Sequence, residues 1–347
     1  MTQQDDLWPA MSAVLSEDRG FVLATVVATS ASAPRPAGTQ MAVLDDGRVI
    51  GSLSGGCIEA DVLARAEEVA ATGEPVNQDY GYSDATAFAV GLTCGGSIRV
   101  HLERVAPQDL GFFRDLAELV RKGSPVACVT ALDGPQLGER HLVVADDSPG
   151  APVETAAREL LRQGRSGMVG GYFVRSFAGP DHLVIFGSNA FAAALCRLAK
   201  TVGYRVTVCD ARATFATRER FPAADEIVVR PPDRYLTELT VDHRTVLCAM
   251  THDPKFDDPL LADALRLPAQ FIGAMGSRRT SEERRERLRE RGVSEPELGR
   301  LRAPLGLDLG AGSPVETAVS VLAEIISARQ GGSNLPLTMT RGPIHAR

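Results

Sequence analysis

Two short loops place a thiol beside a pair of glycines. Ser54-Gly55-Gly56-Cys57 stands just before a helical pattern, and Cys94-Gly95-Gly96 repeats the grouping in reverse order. Glycines leave backbone amides accessible, and a helix N-terminus is partly positive. The first loop can therefore cradle an anion and lower the pKa of the Cys57 thiol. Two reduced thiols on such loops suit a soft ligand, such as molybdenum or sulfur, rather than magnesium. Cys57 and Cys94 are thus candidate metal ligands, and Gly55, Gly56, Gly95 and Gly96 candidate cofactor-binding positions. The same spacing also fits two tight turns with small buried thiols. Glu59 and Glu103 read as solvated rather than as acids or bases. The other cysteines, Cys128, Cys196, Cys209 and Cys248, lie in apolar stretches and read as small core residues. No CxxC pair occurs, so neither a zinc knuckle nor a redox dithiol is indicated.

A second group of residues lies in the C-terminal half. A Rossmann fingerprint, G-x-G-x-x-G/A, should follow the first strand of a dinucleotide-binding unit. Here it reads Gly187-Ser188-Asn189-Ala190-Phe191-Ala192, with Asn189 where glycine would let the backbone approach a pyrophosphate. Asp210 ends the next strand, where an acid can hold a ribose hydroxyl. Two more loops should meet the same sheet edge: Thr251-His252-Asp253 through Asp257, and Ala274-Met275-Gly276-Ser277-Arg278-Arg279. Gly187, Asn189, Asp210, His252, Asp253, Gly276, Ser277 and Arg278 are the candidate ligand-binding residues there. Arg278 is the expected phosphate clamp. Gly187 as a plain tight turn and Asp210 as a turn cap are the structural alternatives. No catalytic pair accompanies this crevice.

Elements must position these residues. Residues 1–110 read as an α+β domain. Phe21–Ala28 is an apolar strand, Met41–Leu44 and Val49–Ile50 form a hairpin across Asp45-Asp46-Gly47, Ile58–Ala71 is a helix stopped by Gly73, and Ser97–Leu102 is a strand. Residues 111–180 read as an extension or linker, with helices at Phe112–Arg121 and Ala151–Arg162 around a strand at Val126–Leu132. From 181 to 330 strands and helices alternate. The strands are His182–Phe186, Arg205–Cys209, Ile227–Val229, Thr245–Met250 and Gln270–Gly273. The helices include Ala190–Val202, Leu260–Leu267 and Thr317–Ala328. This alternation predicts a doubly wound parallel sheet, so the fold class is α/β. Ser313-Pro314-Val315-Glu316 is a capping box, and Ser313→Ala should cost about 0.5–2 kcal/mol. Residues 331–347 read as a flexible tail.

The 347 residues carry a net charge of −7, no footprint for a nucleic-acid binder. Arg278–Arg291 interleaves arginine with glutamate and reads as a solvated helix face with pairs such as Glu283–Arg287. No apolar run approaches the ~20 residues that cross a bilayer. The first residues lack the pattern of a signal peptide, so a cytoplasmic location is expected.

Together these segments resemble the XdhC/CoxI family of xanthine dehydrogenase accessory proteins. The N-terminal likeness rests on Ala33–Gly38, Gly51–Glu59 and Thr93–Gly96. The C-terminal likeness rests on Asp210-Ala211-Arg212, Thr251-His252-Asp253 with Asp257, Ile272–Arg278, Pro304–Gly310 and Ser313–Glu316 continuing to Ile325. The chain departs from the family pattern at Asn189, Ala190 and Ala192, and at Ala31-Ser32. The resemblance implies an N-terminal family domain followed by a Rossmann-like domain. It also implies binding of the molybdenum cofactor (molybdopterin), its protection and sulfuration, and its insertion into an apo xanthine dehydrogenase-type enzyme. The expected role is that of a chaperone without turnover of its own, partnered by that enzyme and a cysteine desulfurase; a homodimer stays open. Two rival readings accompany it: an NAD(P)-dependent oxidoreductase, opposed by Asn189, and an interaction protein that binds no ligand.

Overall fold

The computed structural model describes residues 7–30, 33, 35–56, 58–81, 97–145, 150–251 and 253–342. The chain divides into two compact units, residues 1–179 with 340–347, and residues 180–339.

The first unit contains α1 (Leu7–Ser16), β1 (Phe21–Ser30), β2 (Gln40–Leu44), β3 (Val49–Gly51), α2 (Glu59–Thr72), β4 (Val76–Tyr80), β5 (Ser97–Val105) and α3 (Leu110–Arg121). It continues with β6 (Val126–Ala131), β7 (Arg140–Val144), α4 (Pro152–Arg162), β8 (Gly167–Val169) and β9 (Tyr172–Phe177). The first five strands form an antiparallel sheet in the order β3-β2-β1-β5-β4. Side chains alternate across it. Val22, Ala24, Val26, Val100 and Leu102 pack under α2 through Val62, Ala66 and Val69. Phe21, Leu23 and Val105, on the opposite face, pack against α1 and α3 through Met11, Phe113 and Leu116. Gly73 ends α2 in the left-handed conformation, its amide donating to the Val69 carbonyl.

The segment 111–180, an extension or linker by its sequence pattern, builds a second antiparallel sheet, β7-β6-β9-β8, in the same unit. Ala157 and Leu161 of α4 cover Ala127, Val129 and Val174 on one face of it.

The second unit contains β10 (His182–Phe186), α5 (Ala190–Thr201), β11 (Arg205–Cys209), β12 (Glu226–Val228), α6 (Pro232–Glu238), β13 (Thr245–Ala249) and α7 (Pro254–Ala264). It closes with β14 (Phe271–Ala274), α8 (Arg278–Glu290), α9 (Glu295–Leu298), β15 (Leu301–Arg302) and α10 (Pro314–Gln330). Its six strands are all parallel, in the order β12-β11-β10-β13-β14-β15. In sequence order that is 3-2-1-4-5-6, the Rossmann order. Both faces are covered, which explains the unbroken apolar runs. Leu183, Ile185, Val206 and Val246 meet α5 and α10. Val184, Phe186, Leu247 and Ile272 meet the opposite layer, including Leu236, Leu260, Leu261 and Leu288. α7 begins at Pro254 rather than Leu260, because Asp253 caps it by accepting a bond from the Lys255 amide. The Ser313 capping box opens α10: Glu316 accepts from the amides of Gly312 and Ser313 at 2.9 Å, and the Glu316 amide donates to Ser313 Oγ at 3.3 Å.

Candidate functional site

The carboxyl ends of β10, β11 and β13 frame a pocket of about 430 Å³, lined by Asn189, Asp210, Ala211, Arg212, Pro232, Thr251, Asp253 and Phe256. It opens where the strand order reverses between β10 and β13, the place where ligands settle in open α/β sheets. Its volume falls in the range of small-molecule sites, roughly 300–1,000 Å³. Asn189, Asp210 and Asp253 of the expected set come together here.

Gly187 makes the tight turn that leads into Asn189. Its φ is +110°, and a Cβ at this position would stand 2.6 Å from Thr251 Cγ2. Only glycine tolerates both the conformation and that approach. Asn189 occupies the second fingerprint place with its amide committed at both ends. Its Oδ1 accepts from the Ala192 amide at 2.9 Å and caps α5, while its Nδ2 donates to the Met250 carbonyl at 2.6 Å. The side chain that crowds the phosphate turn therefore also fastens that turn to the end of β13.

Asp210 is buried and fully engaged. Ser188 Oγ donates to it at 2.6 Å, and Arg212 donates through its amide, Nε and Nη2 at 2.8–2.9 Å. Burial pushes this carboxyl up, but the bonds from Arg212 and Ser188 outweigh it and hold the group down at about 2. The pocket thus carries two carboxyl groups, Asp210 and Asp253, and the exposed Arg212 guanidinium is closely paired with Asp210.

The β14 loop is built differently from the expectation. Ser277 caps α8, accepting from the Thr280 amide at 3.1 Å, and Arg278 is exposed. Neither residue, nor Gly276, lines the pocket. The α8 arginines are not all solvated, as the sequence suggested. Arg284 is buried, and its Nη2 donates to Asp257 Oδ2 and to the Met275 carbonyl, each at 3.1 Å. Thr251 Oγ1 donates to the other oxygen of Asp257. This chain of bonds ties the β13 and β14 loops to α7 and α8. The expected Glu283–Arg287 pair is replaced by Arg279–Glu283 at 2.8 Å and by Arg287 donating to Asp258 at 2.7 Å. Nothing in the sequence pattern separates the buried Arg284 from its neighbours except its i, i+4 relation to Leu288, which is also buried. His252 lies outside the described residues.

In the first unit, residues 52–56 and 58 fold around Glu59, so this residue is not merely solvated. The Glu59 carboxylate accepts from the amides of Leu53, Ser54, Gly55, Gly56 and Ile58 and from the hydroxyls of Ser52 and Ser54. Burial pushes the group up, but these donors, Ser54 first, hold it far below the usual carboxylate range. Gly55 and Gly56 sit at φ +89° and +120°. The anion cradle read from the glycines exists, and its occupant is the chain's own carboxylate. Cys57, Cys94, Gly95 and Gly96 lie outside the described residues. Among the described residues, no group of three or more histidine, cysteine or acidic side chains could hold a metal ion. Cys128, Cys196, Cys209 and Cys248 are buried.

Comparison with known proteins identifies the family. A model described as "XdhC Rossmann domain" matches residues 183–325, and one described as "XdhC and CoxI family" matches residues 14–81. The molybdenum cofactor insertion chaperone PaoD of Escherichia coli K12 is 30% identical over 92% of this chain and 86% of its own. The chain belongs to the XdhC and CoxI family. A second relative of this XdhC/CoxI member, named as a probable xanthine dehydrogenase subunit in Bacillus subtilis strain 168, is 29% identical over 92% of this chain and 96% of its own. A crystal structure titled as a xanthine dehydrogenase from Bacillus halodurans superposes with a TM-score of 0.69 at 25% identity, covering 98% of each chain. No helix among the described residues of this family member is long and apolar enough to cross a membrane.

Proposed function

We propose that this XdhC/CoxI member is an accessory chaperone that binds the molybdenum cofactor and delivers it to a xanthine dehydrogenase-type enzyme. The observation that carries the reading is the pocket at the switch point of the parallel sheet, in a chain 30% identical over nearly its full length to a molybdenum cofactor insertion chaperone. The cofactor is cargo here. It brings a polar pterin, a phosphate and a soft metal centre, and the residues fit in kind. Arg212 supplies a cation, and the N-terminus of α5 presents backbone amides to an anion. Asp210, whose oxygens are taken by Arg212 and Ser188, holds the Arg212 guanidinium in place. Arg278, exposed on a loop outside the pocket lining, with Gly276 and Ser277 beside it, is the proposed contact for any part of the ligand that extends beyond the pocket. Cys57 and Cys94 are the proposed thiol ligands to molybdenum, and the Glu59-bound loop fixes the backbone on either side of Cys57. Protection and sulfuration of the cargo, with a cysteine desulfurase as donor, extend the same reading.

The test is anaerobic equilibrium binding of molybdenum cofactor to the purified chain under reducing conditions, followed by pterin fluorescence and metal analysis. Stoichiometric binding that weakens in an Arg212→Ala variant supports the pocket. Unchanged binding in a Cys57→Ala, Cys94→Ala double variant removes the thiols. The NAD(P)-dependent alternative predicts saturable nicotinamide fluorescence instead, and Asn189 in the phosphate turn weighs against it.

A further inference from the structure

The two antiparallel sheets of the first unit enclose a polar chamber that the cofactor reading does not use. Thr25, Gln40, His101 and Glu103 face it from one sheet, and Cys128, Thr130, Arg140 and Arg175 from the other; Trp8 and Phe113 close it. His101 and Glu103 are 1% and 5% exposed. Buried polar groups are almost always hydrogen-bonded, and each exception needs an explanation. Here several exceptions line one space. His101 Nε2, Glu103 Oε2, Gln40 Oε1, Arg140 Nη1 and Trp8 Nε1 all lack a hydrogen-bond partner among the described residues.

Their roles are fixed by what the other end of each group does. Asn77 Nδ2 donates to the Leu132 carbonyl, so Asn77 Oδ1 faces His101 Nδ1 at 2.9 Å and accepts from it. A neutral His101 then presents Nε2 as an acceptor without a donor. Gln40 Nε2 donates to Thr25 Oγ1 at 3.0 Å, which leaves Gln40 Oε1 as a second acceptor. Arg140 Nη1 and Trp8 Nε1 are two donors without acceptors. His101 Nε2 and Glu103 Oε2 stand 3.9 Å apart, too far for a direct bond. A water molecule offers two donors and two acceptors. The chamber's cavity volume of about 20 Å³ exceeds the roughly 10–15 Å³ that one water needs.

We propose that this chamber is a built internal water site, in which ordered water donates to His101 Nε2 and Gln40 Oε1, accepts from Arg140 Nη1 and Trp8 Nε1, and so bridges the two sheets. The ligand class is water rather than a small anion, because the space suits a water and Glu103 already stands 3.3 Å from Arg140 Nη2. The charged and titratable groups around the chamber are His101 and Glu103 on β5, Cys128 on β6, Arg140 on β7, Arg175 on β9 and Asp109 in the turn before α3, 4.0 Å from Arg140. α1, α3, β1 and β2 contribute Trp8, Phe113, Thr25 and Gln40, none of them charged.

Burial raises the Glu103 carboxyl to about 7, and burial with Arg140 lowers His101 to about 4. The signs follow by linkage. Glu103 binds its proton more tightly folded than unfolded, so its contribution to stability falls as pH rises from about 4.5 to 7. His101 binds its proton less tightly folded, so its contribution rises from about pH 4 to 6.5. Across the shared window the two oppose each other.

The experiment is a high-resolution crystal structure of the full chain, together with urea unfolding against pH for the wild type and Glu103→Gln. Density within hydrogen-bond distance of His101 Nε2 and Gln40 Oε1, at the strength of water, is expected. So is a stability that climbs more steeply from about pH 4 to 6.5 in Glu103→Gln than in the wild type. A dry chamber with His101 bonded directly to a side chain overturns the proposal, as does a halide in a bromide-soaked crystal. An identical pH slope in the two proteins would mean that Glu103 titrates in bulk solvent, which overturns the enclosed site. If Glu103→Gln does not fold, the wild-type density decides.

Discussion

At the scale of single residues, the Glu59 carboxylate organises more backbone than any cysteine the described residues include. Five amides and two hydroxyls converge on it. Its depressed pKa contributes stability that is present above the unfolded carboxylate value and is lost as pH falls. Glu59→Gln should therefore flatten the acid limb of the stability curve and speed hydrogen exchange at the amides of 53–56. Protection factors by NMR would check both, and unchanged exchange would mean that the loop holds itself. This residue was legible only as an acid in the first turn of a helix. Its neighbours Gly55 and Gly56 advertised an anion cradle, but sequence does not say whether the anion comes from outside or from three residues downstream. Glu103 was misread for a related reason. One polar residue among Val100, Leu102 and Val105 looks like the solvated side of a half-buried strand, yet both faces of β5 are covered. Arg284 completes the set. Arg284→Met would leave Asp257 buried without its cation, and such losses cost about 3–5 kcal/mol. Chemical denaturation would measure it, and a cost near zero would show that Thr251 alone satisfies Asp257.

At the scale of elements, the phosphate turn of β10 and α5 trades one property for another. Glycine in the second fingerprint place would admit a pyrophosphate, whereas Asn189 caps the helix and holds the Met250 carbonyl. Asn189→Ala removes both bonds and should destabilise the chain by about 0.5–2 kcal/mol, while Asn189→Gly should cost only a few tenths for the cap itself. Thermal denaturation separates the two; equal losses would place the stabilising contact at Met250 rather than at the cap. Five of the six parallel strands were readable as short apolar runs in a stretch that alternates with helix patterns, whereas β15, two residues long, is too short to carry a pattern. β6 and both flanking helices of the middle segment were also visible. What could not be read was that β7, β8 and β9 join β6 in one sheet, because antiparallel pairing between distant short strands leaves no local signature. α1 was missed since its pattern begins inside a polar terminal stretch. The edge of α7 was missed because Pro254 looks like a breaker, whereas proline in the first turn of a capped helix is well tolerated.

At the scale of the whole molecule, the family relation reaches both units, with matches to residues 14–81 and 183–325. The order and combination of motifs made that legible from sequence. The candidate site was legible only in part: Asn189, Asp210 and Asp253 share a pocket, while Gly276, Ser277 and Arg278 sit on a loop outside it. The reason is that strand ends place loops near one edge without fixing which side chains turn inward. The central claim is delivery of cargo, and one reconstitution measures it most directly. Apo xanthine dehydrogenase-type enzyme is incubated anaerobically with the chain preloaded with molybdenum cofactor, and enzyme activity is followed against the same amount of free cofactor. The account predicts faster and more complete activation from the loaded chain, with the cofactor leaving it in step. Activation no better than free cofactor supplies, with the cofactor never bound by the chain, would contradict it.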